Sequence, residues 1–357
     1  MTHTKKKPFF LLAAGIILVL SILMGFIGVN SLNARADSKS LAGAGTAEDP
    51  YLITSWQDFA SVFATDESTV YGNYKLANDI SFYGMGWAPK ADFAGTLDGN
   101  GKTIGGCLIN VDSGGNYGIF KRIYGTVKNL TVDNVIITTS LISSDNAVSV
   151  GFIAGYSYNG RIINCIVKNS SIDLGKVKSQ SHIGGIVGYL FHGRIENCAF
   201  GELQKAENTT LRGNQFIGGI SGFSQAGVIL GCLNYGNIYC GYVEGVTPYV
   251  GGISGTSMPL KAEIRNSCNV GNIKYIGAEN NDKNFKPRMG QLVGVNGTKC
   301  EFDTEYLTNA GYVSSCRGTV DKGNLRKIGG FLGIGTSNQA EFVSNSFAGE
   351  YIYGEEA

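Results

Sequence analysis

A Gly-Lys-Thr loop is the first segment of this sequence whose residue types suggest chemistry. Residues 98–103 read DGNGKT, but a phosphate-binding loop requires glycine five residues before Gly101, and that position holds Thr96. The loop also lacks the further carboxylates of a calcium site. We therefore interpret residues 98–103 as a glycine-rich turn.

The histidines give little reason to expect a metal. His3 lies in the N-terminal leader, and His182 and His192 have no cysteine, histidine or carboxylate at a spacing typical of metal ligands. Because His192 directly precedes Gly193, we expect it to be an exposed turn residue. The sequence predicts no metal site and no cofactor.

Aromatic residues are the more informative group. Four tyrosines fall within fifteen residues and run into a variable segment: Tyr235, Tyr239, Tyr242 and Tyr249. Tyrosine combines an apolar ring with a polar hydroxyl, which suits the recognition of glycans or proteins, although turns also use tyrosine for packing alone. We predict these four as ligand-binding candidates, with no catalytic residue.

The elements that position such residues begin after an apolar N-terminal segment. Residues 9–29 form an apolar run that follows Lys5 to Lys7 and precedes the small-residue sequence Ala34-Arg35-Ala36. This pattern predicts either a signal peptide cleaved after Ala36 or a retained membrane anchor. Both alternatives place the rest of the chain outside the cytoplasm, secreted or at the cell surface, with membrane contact only through this segment.

Composition and charge exclude several classes of protein. Lysine plus arginine (29) balances aspartate plus glutamate (28), so a nucleic-acid partner is not expected. The chain has 52 glycines and only 16% charged residues, which favours many short strands joined by tight turns.

An internal repeat dominates the exported part. A pentad similar to Gly-Gly-Ile-Val-Gly begins at seven positions, 117, 151, 184, 218, 251, 290 and 329, in steps of 34, 33, 34, 33, 39 and 39 residues. After the first five pentads come a second motif, such as GRIENC at 193–198, and a third short apolar segment. Three strand-sized pieces per repeat predict one coil of a three-sided parallel β-helix, an all-β solenoid.

Parallel stacking of the coils would align equivalent residues in columns. One predicted column contains Leu130, Cys165, Cys198, Cys232 and Ser267. We expect its cysteines to be buried and reduced, and disulfides between neighbouring coils are the alternative. A second is expected at a bend of each coil: Asn129, Asn164, Asn197 and Gly231. A third is an aromatic ladder: Tyr156, Tyr189 and Phe223.

Two further features complete the predicted architecture. Residues 55–65 form an amphipathic helix with a Ser55–Asp58 capping box, and we expect it to cover the open first coil. Four variable segments at 138–148, 201–216, 239–249 and 275–288 should project from one edge of the solenoid. The predicted divisions are a signal or anchor at 1–36, an N-terminal cap with the first coils at 37–116, and the repeat β-helix at 117–357.

The chain resembles GLUG-motif repeat proteins of bacterial surfaces. The resemblance lies in GTAEDPYLI (45–53), YKLANDISF (74–82), FAGTLDGNGKTI (93–104) and YGIFKRIYGTVKNLTV (117–132), followed by the GGI(V/S)G and GRIENC repeats. Such repeats occur in adhesin-like proteins and in the N-terminal parts of some IgA-specific metallopeptidases. The resemblance implies a right-handed β-helix at the cell surface and no catalytic residues; the His-Glu-x-x-His motif of those peptidases is absent here.

Parallel β-helices also carry polysaccharide lyases and hydrolases, so an enzyme is the alternative. Those enzymes need converging carboxylates on one face. One repeat column instead mixes residue types, which looks like surface decoration: Lys128, Ile163, Glu196, Leu230 and Arg265. We predict a non-enzymatic, adhesin-like protein that binds a glycan or protein of a host, a matrix or a neighbouring cell, with a structural spacer as a third possibility.

Overall fold

The computed structural model describes one of the chain's two compact units. These units are residues 1–40 and 41–357, and the described residues all belong to the second: 41–141, 143–203, 205–258, 262–276, 288–290, 292–296, 308–309, 313–315, 328–329 and 332–334. The predicted export segment lies outside them. Within the described ranges no helix is long and apolar enough to cross a bilayer.

The described part is a parallel β-helix. The chain passes through five sheets, E, B, A, C and D, once per coil, and each strand pairs in parallel with its equivalent one coil away. Sheet E contains Gly115–Tyr117, Val148–Gly151, Ser181–Gly184, Phe216–Gly218, Tyr249–Gly251, Arg288–Gly290 and Ile328–Gly329. Sheet B contains Thr69–Val70, Asp92–Phe93, Phe120–Ile123, Ala154–Tyr158, Val187–Phe191, Ser221–Gln225, Ser254–Met258, Val293–Asn296 and Leu332–Ile334.

The other three sheets are built in the same way. Sheet A contains Tyr51–Ile53, Asn73–Leu76, Thr96–Asp98, Thr126–Lys128, Arg161–Ile163, Arg194–Glu196, Val228–Leu230 and Glu263–Arg265. Sheet C contains Ile80–Ser81, Thr103–Gly105, Thr131–Asp133, Ile166–Lys168, Ala199–Phe200, Leu233–Asn234, Cys268–Asn269 and Thr308–Asn309. Sheet D contains Leu108–Val111, Ile136–Thr139, Ser171–Asp173, Thr210–Gly213, Asn237–Cys240, Ile273–Tyr275 and Val313–Ser315.

Each full repeat therefore contributes five short strands, and the prediction of three was wrong. The pentad is a corner: the sheet E strand ends at Gly184, and the sheet B strand begins at Val187. A Cβ atom on Gly185, between them, would lie 2.1 Å from the Gly219 carbonyl oxygen, so the bend requires glycine. The second motif likewise bends between sheets A and C. The pentad and the second motif, each predicted as one strand, therefore form two strands each.

The predicted cysteine column is confirmed. Cys165, Cys198 and Cys232 are free and buried, and the backbone N–H of Cys165 donates to Cys198 Sγ at 3.4 Å. Ser267 continues the column, because its Oγ accepts from the N–H of Cys232 at 3.1 Å. Burial raises the pKa of the Cys198 thiol well above its usual range, so the thiol is protonated.

The asparagine column is also confirmed, and its conformation explains it. Asn129, Asn164 and Asn197 have φ between 53° and 54°, and Gly231 continues the column with φ of 62°. Asparagine and glycine adopt this left-handed conformation most readily. Asn164 Nδ2 also donates to Asn129 Oδ1 at 3.2 Å, which links neighbouring coils at the bend.

Helix α1, Trp56–Phe63, covers the core of the first coils as predicted. The capping box is present: Ser55 Oγ accepts from the Asp58 N–H at 3.2 Å, and Asp58 Oδ2 accepts from the Ser55 N–H at 3.1 Å. The Phe63 ring packs against the buried rings of Phe93 and Phe120 at centroid distances of 5.3 and 5.1 Å.

Two of the variable segments, 138–148 and 239–249, join sheets D and E at the same corner of the coil. Most of segment 275–288, residues 277–287, lies outside the described residues. Segment 201–216 differs, because most of its extra residues precede the sheet D strand Thr210–Gly213 and lie between sheets C and D. The prediction of one loop edge is therefore correct for two of the three segments that the structure describes.

We predict that Cys198→Ser leaves the protein folded and costs roughly 1 kcal/mol, because Ser267 already occupies an equivalent position in the same column. Cys198→Lys should abolish the cooperative transition, since it buries an unpaired charge among stacked coils. Thermal unfolding followed by circular dichroism measures both. A lysine variant that melts like the unchanged protein would show that this column is not buried in solution.

Candidate functional site

Side chains on the outer face of sheet B form two parallel columns. In the strand Val187–Phe191 the alternate residue Leu190 is fully buried, whereas Tyr189 and Phe191 are half-buried on the outside. By the same register, the first outer column contains Asp92, Arg122, Tyr156, Tyr189, Phe223 and Thr256. The second outer column contains Tyr71, Ala94, Tyr124, Tyr158, Phe191 and Gln225.

The predicted aromatic ladder is the middle of the first outer column. The Tyr156 and Tyr189 ring centroids are 5.2 Å apart, and those of Tyr189 and Phe223 are 4.9 Å apart. In the second outer column the Tyr158 and Phe191 rings stack at 5.3 Å. The outer wall of sheet B is thus largely aromatic over three successive coils.

Sheet E contributes a third column, which faces the first outer column across the corner. It contains Asn116, Ser149, His182, Phe216 and Tyr249. The His182 ring lies 5.1 Å from the Tyr189 ring, and the Phe216 ring lies 5.1 Å from the Phe223 ring. These contacts fill the angle between the two sheets in the coils of His182 and Phe216.

On the N-terminal side of this contact the angle is open, and it forms a groove of about 740 Å³. Rings line the sheet B side of the groove: Tyr124, Tyr156, Tyr158 and Tyr189. Amides lie on the sheet E side and its preceding loops: Asn116, Asn146 and Gln180. The groove combines apolar rings with several hydrogen-bonding groups, as ligand sites commonly do.

One ion pair lies at the groove. Arg122 Nε donates to Asp92 Oδ1 at 2.9 Å, with the arginine side chain 38% exposed and the aspartate side chain 11% exposed. Of the described residues that line the groove, only Arg122 carries a full formal charge, and the negative charge of Asp92 neutralises it.

Two titratable rings of the groove, Tyr156 and His182, are neutral near pH 7. Burial raises the pKa of Tyr156 to about 12, and burial lowers the pKa of His182 to about 4. A general acid or base works best with a pKa close to the working pH, so both rings are tuned away from proton transfer. They suit hydrogen bonding and packing.

Sequence reasoning missed the environment of His182. Ser149 Oγ lies 2.9 Å from His182 Nδ1, and Gln180 Nε2 lies 3.2 Å from His182 Nε2. If the Gln180 amide donates to Nε2, the imidazole proton is on Nδ1 and is donated to Ser149 Oγ, a polarity opposite to that of an activated serine. The 33-residue spacing of Ser149 and His182 was the available signal, because it puts them in register on sheet E.

The four tyrosines predicted as ligand-binding candidates lie at different places in the coil. Tyr239 is in sheet D, in register with Arg212, and Tyr235 is in the turn before that strand. Tyr242 packs against the core from the connection between sheets D and E. Tyr249 belongs to the sheet E column, where its ring stacks on Phe216 at 4.9 Å. All four are half-buried, and of them only Tyr249 belongs to one of the three columns that border the angle between sheets E and B.

The other chemically suggestive residues have structural positions. Asn100 and Gly101 have φ of 53° and 71°, so residues 98–103 form the predicted turn, between sheets A and C. His192 is exposed with φ of 51°, also as predicted. Within the described residues no group of three or more histidine, cysteine or acidic side chains is placed to hold a metal ion.

Comparison with known proteins gives a fold but no family. No family model matches the chain. Halomucin from Haloquadratum walsbyi is 33% identical over 121 residues, which cover 30% of this chain and 1% of halomucin. The crystal structure of a "putative immunoglobulin A1 protease" from Bacteroides ovatus superposes with a TM-score of 0.51 at 20% identity, covering 76% of this chain and 79% of that one. This likeness supports the parallel β-helix fold.

We predict that the buried, neutral His182 makes stability depend on pH. Between pH 6.5 and about 4 the imidazole takes up a proton in the unfolded chain but not in the folded one. Falling pH therefore favours unfolding over this window, by at most about 3 kcal/mol. Urea unfolding at pH 7 and pH 4.5 should show a smaller loss for His182→Gln than for the unchanged protein.

His192→Gln is the matched control, because His192 is exposed. Carboxylates that titrate in the same range are common to all three proteins and cancel in the comparison. An equal loss of stability in all three would contradict a buried neutral His182.

Proposed function

We propose that this chain is an exported, adhesin-like β-helix protein that binds a glycan or protein partner in the outer groove without catalysis. The observation that carries the proposal is the composition of the groove: rings on one side, amides on the other, and no net charge. Sugars present apolar C–H faces and polar edges, so a glycan is the partner that this lining favours.

The neutral state of Tyr156 and His182 supports binding over catalysis. A glycosidase positions two carboxyl groups across the scissile bond, and the described lining of this groove includes none. The structurally similar protein is named as a protease, but a likeness at 20% identity carries the fold alone. Binding is therefore the function that these residues support best.

Export and family are parts of the same proposal. The names "Halomucin" and "putative immunoglobulin A1 protease" both refer to material outside the cytoplasm, which agrees with the apolar segment 9–29 as a signal or anchor. The repeat motifs support membership of the GLUG-motif proteins, and with it a right-handed coil. Right-handed crossovers also prevail between parallel strands in general.

The test is an array of glycans and matrix proteins probed with the full-length chain. Tyr158→Ala should weaken binding at least about tenfold, or 1.4 kcal/mol, because Tyr158 is 38% exposed and lines the groove. Tyr83→Ala is the control: Tyr83 is 81% exposed and lies outside the groove lining, so binding should not change.

Tyr239→Ala distinguishes binding in the groove from binding at the four tyrosines that were predicted from the sequence. Loss of binding in this variant, with Tyr158→Ala unaffected, would move the site to the corner between sheets D and E. Release of reducing or unsaturated sugars from a polysaccharide panel would overturn the non-catalytic part of the proposal.

A further inference from the structure

The second outer column has a gap at Ala94. Tyr71, Ala94 and Tyr124 each follow a buried residue, Val70, Phe93 and Ile123, so all three side chains are on the outer face. The backbone N–H of Ala94 donates to Val70 O, and that of Tyr124 donates to Phe93 O, both in the same register. Two tyrosines are thus separated by one coil whose side chain is a single methyl group.

The gap has the size of one six-membered ring. Neighbouring parallel strands lie about 4.8 Å apart, so Tyr71 and Tyr124 are separated by roughly 9.6 Å along the solenoid. A ring held between two others needs about 3.5–4.0 Å of contact on each side. The remainder accommodates the pucker of a saturated ring or a tilt of the tyrosines.

Both tyrosines of the gap are accessible. Tyr71 is 66% exposed and Tyr124 is 38% exposed. Tyr124 contacts the next ring of the column, Tyr158, at 6.0 Å with the planes tilted by 55°. On its other side the equivalent residue is Ala94, so no side chain of this column covers that face of Tyr124.

Polar groups flank the gap on one side. Asp92 and Arg122 precede Ala94 and Tyr124 by two residues, so their ion pair lies on the same face about 6.6 Å along the strands. A carboxylate beside a guanidinium supplies acceptors and donors together, which matches adjacent sugar hydroxyls. On the opposite side the next residues are Gly72, Gly95 and Gly125; Cβ atoms on Gly95 and Gly125 would lie 2.1 and 1.9 Å from a carbonyl oxygen of the preceding coil, so these glycines allow the coils to pack closely beside the gap.

We propose that Tyr71, Ala94 and Tyr124 form a slot for one hexopyranose unit of a linear glycan. The two rings contact the C–H faces of the sugar, and Asp92 and Arg122 bind hydroxyls at its edge. The slot adjoins the outer groove, which shares Arg122 and Tyr124, so the rest of the glycan lies along the groove. An aromatic side chain of a protein partner would fill the gap as well but would leave the ion pair unused. This inference rests on the glycan-binding function proposed above.

Ala94→Phe is the decisive variant, because a third ring would fill the slot and make the aromatic column continuous. We expect it to lose at least about tenfold in glycan affinity with an unchanged or higher thermal midpoint, since aromatic neighbours stabilise one another. Ala94→Ser, which keeps the slot open, should bind like the unchanged protein. Tyr71→Ala removes one side of the slot at an exposed position, and its affinity should fall by a similar factor.

Affinity is measured by calorimetry with the oligosaccharides that bind the full-length chain on the glycan array. If Ala94→Phe and Tyr71→Ala bind normally while Tyr158→Ala does not, the slot is wrong and the groove function stands. If Ala94→Phe fails to fold, Tyr71→Ala alone decides the question. If the folded, unchanged protein binds no glycan on the array, the slot and the glycan function both fail; binding to a protein ligand, lost in Ala94→Phe, would assign the slot to an aromatic side chain.

Discussion

Apart from the end strands of each sheet, the strands of the described solenoid pair with their equivalents one coil above and one coil below, and this in-register stacking constrains all other features. A side chain in such an array contacts the same position of two other coils before it contacts anything else. Each position must therefore tolerate near-copies of itself. Stacked thiols in the core and stacked amides at a left-handed bend satisfy this requirement without burying charge.

The same constraint makes the outer surface a set of columns, so equivalent side chains follow one another in rows along the solenoid. The angle between sheets E and B is filled where His182 and Phe216 meet Tyr189 and Phe223, and it is open where smaller residues, Asn116 and Ser149, occupy the equivalent positions. The groove thus results from a change in side-chain size along two neighbouring columns, and no inserted loop is needed to form it. The slot at Ala94 arises in the same way within a single column, because one small residue lies between two large ones.

Spacing alone was enough to predict the columns, because a repeat of 33 or 34 residues can keep register only by stacking. It could not predict five strands per coil, since the corners depend on how closely Gly185 approaches Gly219. Nor could it predict the groove, which depends on the angle at which the pentad turns the chain from sheet E into sheet B. Ala94 was overlooked for a related reason: it lies in the first coils, before the recognisable pentads begin.

Helix α1 covers one end of the array, and the slot lies in the first coils beside it. Tandem repeats commonly gain or lose copies through unequal recombination, and any such event among the later pentads would insert or remove whole coils. The cap and the slot would be untouched, while the aromatic wall beyond them became longer or shorter. Under the proposed glycan function, repeat number would set how many sugar units could contact the aromatic wall, and the proposed slot for the first unit would not change.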